Sequence, residues 1–243
     1  MKMKNKNILG FDIGGTKTSV ILGDSGGNII NKVTFPTLAH KGFKKSFSNI
    51  ISNAHTFVEN IKDKKFHYDL ISVSVGGPLK IEEGIILNPP NLPGWNKIPL
   101  KNLLEKEFKK PCFIEHDGNA GALAEYYFGA GKGYRNIIFL TMGTGIGAGI
   151  IIDGKIYRGS TDSAGEVGHI RIAEDGPLVY NKKGSYESYA SGSGIAKLAH
   201  YYYPKIYKKN VTAKEVIEDF FKGSKEAKFI INLSAKYLGR GLA

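Results

Sequence analysis

The sequence predicts a mixed α/β fold built from two related units, and three features carry that prediction. Three short apolar segments separated by glycine turns open the chain, after which helical and strand patterns alternate. A glycine-rich strand–turn–strand pattern occurs twice, 129 residues apart. Beyond the second copy the pattern turns helical.

Ile8–Ile13 is an apolar run bounded by Gly14-Gly15, the mark of a buried strand. Thr18–Leu22 is a second strand, and the turn signal Asp24-Ser25-Gly26-Gly27 leads to a third at Ile29–Phe35. Phe47, Ile50, Ile51, Ala54, Val58 and Ile61 recur at helical spacing, predicting an amphipathic helix of about five turns. Leu70–Val75 is the next strand, ending at Gly76-Gly77-Pro78. Asn88–Trp95 holds three prolines in eight residues and is loop. Leu100, Leu103, Leu104 and Phe108 mark a short helix, Cys112–Glu115 a strand, and Asn119–Phe128 a helix.

The repeat places Ile8 on Ile137, Gly14 on Gly143 and Asp24 on Asp153. In the second copy, Asp153-Gly154 between Ile150-Ile151-Ile152 and Lys155-Ile156-Tyr157 is a hairpin signal. Two copies suggest two similar domains, one at 1–116 and the other at 117–243. Thr212-Ala213-Lys214-Glu215 is a capping box opening a helix at Ala213–Lys222, which Gly223 closes, and Ala227–Leu238 begins another. The sequence stops at Gly241-Leu242-Ala243 without a stop signal and reads as C-terminally incomplete.

With 243 residues, 42% of them hydrophobic, the chain can bury one large core or two small ones. No apolar run reaches the length of a membrane span, and Met1–Asn7 is not signal-like, so a cytoplasmic protein with no membrane partner is expected. Cys112 is the only cysteine, which excludes intrachain disulfides and cysteine-rich zinc sites. The net charge of +12 is spread over pairs such as Lys44-Lys45, Lys64-Lys65 and Lys182-Lys183. Without an arginine stripe or an aromatic-basic cluster, that excess reads as a solvated surface and not a nucleic-acid interface.

The turns Gly14-Gly15-Thr16-Lys17 and Gly143-Thr144-Gly145-Ile146-Gly147 each present backbone N–H groups unobstructed by side chains, a concave anion site suited to polyphosphate. Neither has the spacing of the P-loop or the dinucleotide fingerprint, and a tight hairpin is the competing reading. Asp12, ending a buried strand beside the first turn, can hold Mg²⁺ through water or cap its own turn. Asp117, where a strand gives way to a helix, can take a proton from a substrate hydroxyl, as phosphoryl transfer requires. A helix N-cap is its alternative role, though Asn119 fits that better. His116 is a second acid/base group, a metal ligand or a hydrogen-bonding side chain. Glu166, His169 and Glu187 stand in glycine-broken loops, either solvated or gathered around a polyhydroxylated ligand.

Taken together, the motifs resemble the ROK family (repressors, open reading frames and kinases). They are DIGGTK at Asp12–Lys17, GGP at Gly76–Pro78, NLPGW at Asn91–Trp95, HDGNA at His116–Ala120, GTGIGAG at Gly143–Gly149, AGEVGH at Ala164–His169 and YESYASG at Tyr186–Gly192. The resemblance implies an actin/hexokinase-like, duplicated ribonuclease H-like fold of two domains, with sugar and ATP in an interdomain cleft. It implies ATP-dependent phosphorylation of a hexose or N-acetylhexosamine, with Asp117 as general base. Gly77, Asn91, His116, Glu166, His169 and Glu187 would bind sugar. Asp12, Gly14, Gly15, Thr16, Lys17, Gly143, Thr144 and Gly145 would serve ATP and Mg²⁺, and a homodimer is possible.

Three departures from the family pattern stand out. His116 replaces the usual Asn before the catalytic Asp. The segment Val179–Ser185 carries none of the cysteines of the usual zinc loop, so no structural zinc is expected. The family also continues past Ala243. A sugar-binding regulator is the alternative function. Its DNA-binding helix-turn-helix would precede the core, and the first strand here already begins at Ile8.

Overall fold

The computed structural model describes residues 5–61 and 67–243; the Lys64-Lys65 pair and the first four residues lie outside them. By internal contact the chain forms two compact units, one of residues 1–137 with 151–163, the other of 138–150 with 164–243.

The first unit holds a five-stranded sheet in the order β3-β2-β1-β4-β8, made of β1 (Asn7–Ile13), β2 (Lys17–Asp24), β3 (Ile29–Pro36), β4 (Leu70–Val75) and β8 (Cys112–His116). β1, β2 and β3 form an antiparallel meander, whereas β1, β4 and β8 run parallel. The parallel strands are joined through α1 (Gly42–Glu59) and α2 (Leu100–Phe108), since parallel neighbours need a crossover. Strand alternation puts Leu9, Phe11, Ile13, Ile71, Val73, Val75 and Ile114 on one face, packed with Ile50, Ala54, Leu104 and Phe108 of the helices. The opposite face carries Asp12, Ser74 and Glu115 in one register row across the three parallel strands.

α1 starts earlier than the apolar spacing indicates and stops at Glu59, short of Ile61. A second sheet of β5 (Leu79–Lys80), β6 (Ile85–Leu87) and β7 (Asn96–Ile98), in that order, was not legible, because its strands are too short to show alternation. It carries the proline-rich loop before Trp95. Trp95 is fully buried, packs edge-on against Phe43 and donates from Nε1 to Ser46 Oγ at 3.0 Å.

α3 (Asp117–Phe128) packs on β4 and β8 and so stays with the first unit. The compact units therefore do not divide after His116, where the repeat placed the boundary. The chain leaves the first unit within β9 (Ile137–Met142) and returns within β10 (Ile146–Ile152). Then β11 (Lys155–Ile156) pairs with β10, in a sheet ordered β11-β10-β9.

The second unit continues as helices: α4 (Tyr186–Ala190), α5 (Gly192–Tyr202), α6 (Ala213–Phe221) and α7 (Lys225–Leu242). Its core gathers Ile146, Tyr186, Tyr189, Leu198, Val216 and Ile230. The predicted capping box is formed, with Thr212 and Glu215 each bonding the other's backbone. α4 and α5 escaped the sequence reading because glycine and serine crowd their starts, where Ser185 and Ser191 act as N-caps. Among the described residues no helix is long and apolar enough to cross a membrane.

Candidate functional site

In the first unit the predicted residues gather at the carboxyl ends of β1, β4 and β8, the side of a parallel sheet where ligands bind. The turn Gly14–Thr16 joins β1 to β2, closed by a hydrogen bond from Gly14 N to Lys17 O at 3.1 Å. Thr37, a buried residue that sequence reasoning missed, braces it. Its hydroxyl donates to Gly14 O at 2.6 Å and its amide donates to Thr16 O at 3.0 Å. In a trans peptide the C=O and the next N–H point opposite ways, so tying these carbonyls to Thr37 turns the amides of Gly15 and Lys17 away from it. That is the arrangement an anion requires.

Gly15 also lies hard against the Asn91 loop: a Cβ there would meet Asn91 O at 2.5 Å. Gly15, Thr16, Leu38, His40, Asn91 and Pro93 line an open cavity of about 390 Å³.

Asp12 is solvent-accessible, yet the protein around it pushes its carboxyl above the ordinary value. Desolvation is the largest cause; the Asp117 charge adds to the rise, while Lys32, Lys17 and a hydrogen bond from Ser74 oppose it. A carboxyl raised partly by a second carboxylate suits a hard divalent cation held through water.

Asp117 opens α3, and its Oδ1 accepts from Gly118 N at 2.8 Å. The N-cap is His116, whose Nδ1 lies 3.3 Å from Gly118 N and 3.2 Å from Asp117 Oδ1. Asn119 is not the cap that its residue type suggested. It is buried inside the first turn, donating from Nδ2 to Glu115 at 2.9 Å, and its Oδ1 has no protein partner. Gly77 lies in the turn after β4; at Gly76 a Cβ would stand 4.0 Å from Asp117 Oδ2.

In the second unit the turn Gly143–Gly145 joins β9 to β10. Gly143 O accepts from Gly192 N at 2.9 Å and Thr144 O from Ser193 N at 3.1 Å, so the first free amides of α5 are used to hold the turn's carbonyls. By the same peptide geometry the amides of Thr144 and Gly145 face away from α5. Glu187, read as a loop residue, is instead a buried member of α4, and its Oε2 accepts from Ile146 N at 3.2 Å. Glu166 precedes a 3-10 turn at Val167–His169. The His169 ring lies 4.8 Å from that of Tyr180. Burial, followed by the charge and hydrogen bond of Glu187 and the charge of Glu166, raises the Tyr180 hydroxyl pKa. Glu166, His169, Tyr180 and Glu187 therefore converge. Tyr180 gave no sequence signal, standing in a lysine-rich loop with nothing to place it beside His169.

The cysteine-free loop is held by an antiparallel bridge between Arg171 and Ser185, the Val179–Lys182 turn and an ion pair of Lys183 with Asp175 at 2.9 Å. Burial pushes the Cys112 thiol up to about 12, leaving it protonated at neutral pH. Among the described residues no group of three or more His, Cys, Asp or Glu side chains is placed to hold a metal ion.

The sequence profile of the ROK family matches residues 8–243. The chain belongs to the ROK family. This ROK chain is 35% identical over 201 residues to a glucokinase of Halalkalibacterium halodurans, covering 81% of the chain and 60% of that protein. It is 30% identical over 255 residues to a xylose repressor of Caldicellulosiruptor bescii, covering 98% of the chain and 62% of that protein. The ROK chain thus spans about three fifths of the length of these relatives. Among solved structures it resembles a ROK hexokinase from Thermus thermophilus, with a TM-score of 0.81, 30% identity, and coverage of 97% of the chain and 76% of that one. It also resembles a ROK family glucokinase from Streptomyces griseus in complex with glucose and AMPPNP, with a TM-score of 0.79, 29% identity, and coverage of 97% and 78%. The fold of this ROK chain is α/β and actin/hexokinase-like.

Proposed function

We propose that this chain carries out ATP-dependent phosphorylation of a hexose or N-acetylhexosamine hydroxyl, in the manner of a glucokinase, in the cytoplasm. The observation that carries the reading is the placement of Asp117 at the start of α3, close enough to Asp12 for the two carboxylates to interact, at the open ends of the parallel strands. Asp117 accepts the proton of the sugar hydroxyl as that oxygen bonds to the γ-phosphorus and the bond to the β-phosphate oxygen breaks, releasing ADP. The outward amides of Gly15 and Lys17 in one unit and of Thr144 and Gly145 in the other serve phosphate oxygens. Asp12 would hold Mg²⁺ through water, and the ion when bound neutralises phosphate charge. Asn91, His116 and the Gly77 turn in the first unit, and Glu166, His169 and Glu187 in the second, serve sugar hydroxyls.

A coupled ADP-release assay across glucose, fructose, N-acetylglucosamine and N-acetylmannosamine tests the activity and selects the sugar. Asp117→Asn is expected to lower turnover by about 10²–10⁴ while sugar binding persists. Turnover near the parent rate would remove Asp117 as base. The repressor relative supports a second reading, a sugar-binding regulator without catalysis. Sugar binding without ADP release in any of these assays would favour it.

A further inference from the structure

The register row Asp12–Ser74–Glu115 ends in a carboxylate that the reaction above does not use. Glu115 is largely buried, and Arg158, from the segment following β11, closes over it. Arg158 Nε lies 3.2 Å and Nη2 2.5 Å from Glu115 Oε2. The other oxygen, Oε1, accepts from the backbone amide of His116 at 3.0 Å and from Asn119 Nδ2 at 2.9 Å. One side chain thus ties the last residue of β8 to the first turn of α3, and Asp117 lies between those two points. Asp162 adds a second tie from the same segment by accepting from Ile81 N at 3.2 Å.

A carboxylate with this many partners has little freedom to turn, but only while its charge is matched. Without Arg158, Glu115 would be a largely buried anion two residues from Asp117, and its cheapest escape is to rotate toward water. Rotation would release the His116 amide and the Asn119 side chain together, and so loosen the helix start that aims Asp117.

We propose that the Arg158–Glu115 pair is a positioning device for the phosphotransfer reaction, fixing the direction of the Asp117 carboxylate through His116 and Asn119 without touching substrate. The inference rests on the reading of Asp117 as the base. It predicts a loss mainly in the chemical step, because a base displaced by a fraction of an ångström still leaves Asn91, Glu166, His169 and Glu187, which serve most of the sugar hydroxyls, in place.

The test compares Arg158→Met, Arg158→Lys and the double variant Glu115→Gln/Arg158→Met in the full chain. The double variant neutralises both partners, and its glutamine oxygen can still accept from His116 and Asn119, so it remains informative if Arg158→Met does not fold. Arg158→Met should lower kcat by about tenfold or more while KM for sugar changes by less than about twofold. Arg158→Lys and the double variant should each recover part of that loss. The His116 imidazole resonance should move in Arg158→Met and return toward its parent position in the other two, with or without turnover.

A folded Arg158→Met protein with parent kcat and an unmoved His116 resonance overturns the proposal. So does a parallel change in kcat and KM that the other two variants do not rescue. Asp117→Asn run alongside separates the two ideas. If that variant retains turnover, the base assignment is wrong, and the His116 resonance alone then decides whether the ion pair orders the strand end.

Discussion

The two glycine turns solve one problem with different parts. Each joins a pair of antiparallel strands through three residues, Gly14–Thr16 in one unit and Gly143–Gly145 in the other. Each has its carbonyls tied into protein, which turns amides outward. The first is braced by the single residue Thr37, the second by the main chain that opens α5. Their surroundings also differ in stiffness, because Gly15 faces the Asn91 backbone whereas Gly145 faces the end of the Glu187 side chain. A shared outward-amide geometry reached through unrelated braces indicates that the direction of the amides, and not the sequence around them, is what the turns have in common.

The sharpest way to separate the turns is to add one methyl group to each. In Gly15→Ala the Cβ meets Asn91 O at 2.5 Å and Asn91 Cβ at 2.9 Å, so backbone must move. A cost of about 3 kcal/mol in unfolding free energy is expected, together with weakened ATP binding. In Gly145→Ala the Cβ meets Glu187 Oε2 at 2.6 Å, an atom that can swing aside at the cost of its bond from Ile146 N. About 1–2 kcal/mol is expected there. Urea unfolding of both variants checks the order, and equal costs would refute the difference in stiffness.

The second test removes a brace. Thr37→Val keeps the shape but deletes a buried hydroxyl that donates to Gly14 O and pairs with Thr18 Oγ1 at 2.8 Å. Gly14 O and Thr18 Oγ1 both lose a partner, a cost of about 1–3 kcal/mol. ATP affinity should fall with it. No single side-chain replacement has the same effect on the second turn, because its braces are backbone amides of Gly192 and Ser193.

These differences also mark what was legible in the sequence. Both hairpins, the parallel strands and the helix capped by Thr212 were readable, since each is set by local pattern: alternation, glycine turns and a capping box. Thr37, Arg158 and Tyr180 were not, because each acts on residues far along the chain or across a loop with no periodic spacing to betray it. Asn119 and Glu187 were visible but misplaced. Local rules rate Asn as a good N-cap and a glycine-flanked Glu as loop. The fold instead buries Asn119 against Glu115 and Glu187 beneath the second turn.

The smallest expected effect isolates a carboxyl that only the first hairpin carries. At the position of Asp12 the second copy carries Thr141, so only the first hairpin brings a carboxyl to its turn. The folded protein holds the Asp12 carboxyl above its unfolded value, chiefly through desolvation and then through Asp117. A carboxyl raised in the native state binds its proton more tightly there than in the unfolded chain, so it favours folding at pH below the unfolded value. That advantage is lost as pH rises through the folded value, and above it the ionised group opposes folding. Asp12→Asn should therefore stabilise the protein slightly at neutral pH, with the gain disappearing as pH falls through the carboxylate range. The gain is small because Asp12 is solvent-accessible and its charge is screened by water. Thr141→Val, with no titrating group removed, should shift stability by the same amount at pH 7 and pH 3. Urea unfolding of both variants at the two pH values decides it. If Asp12→Asn is destabilising at neutral pH, then Lys32 and Lys17 hold the carboxylate more strongly than burial and Asp117 oppose it, and the first turn carries a structural ion pair where a cation site is proposed.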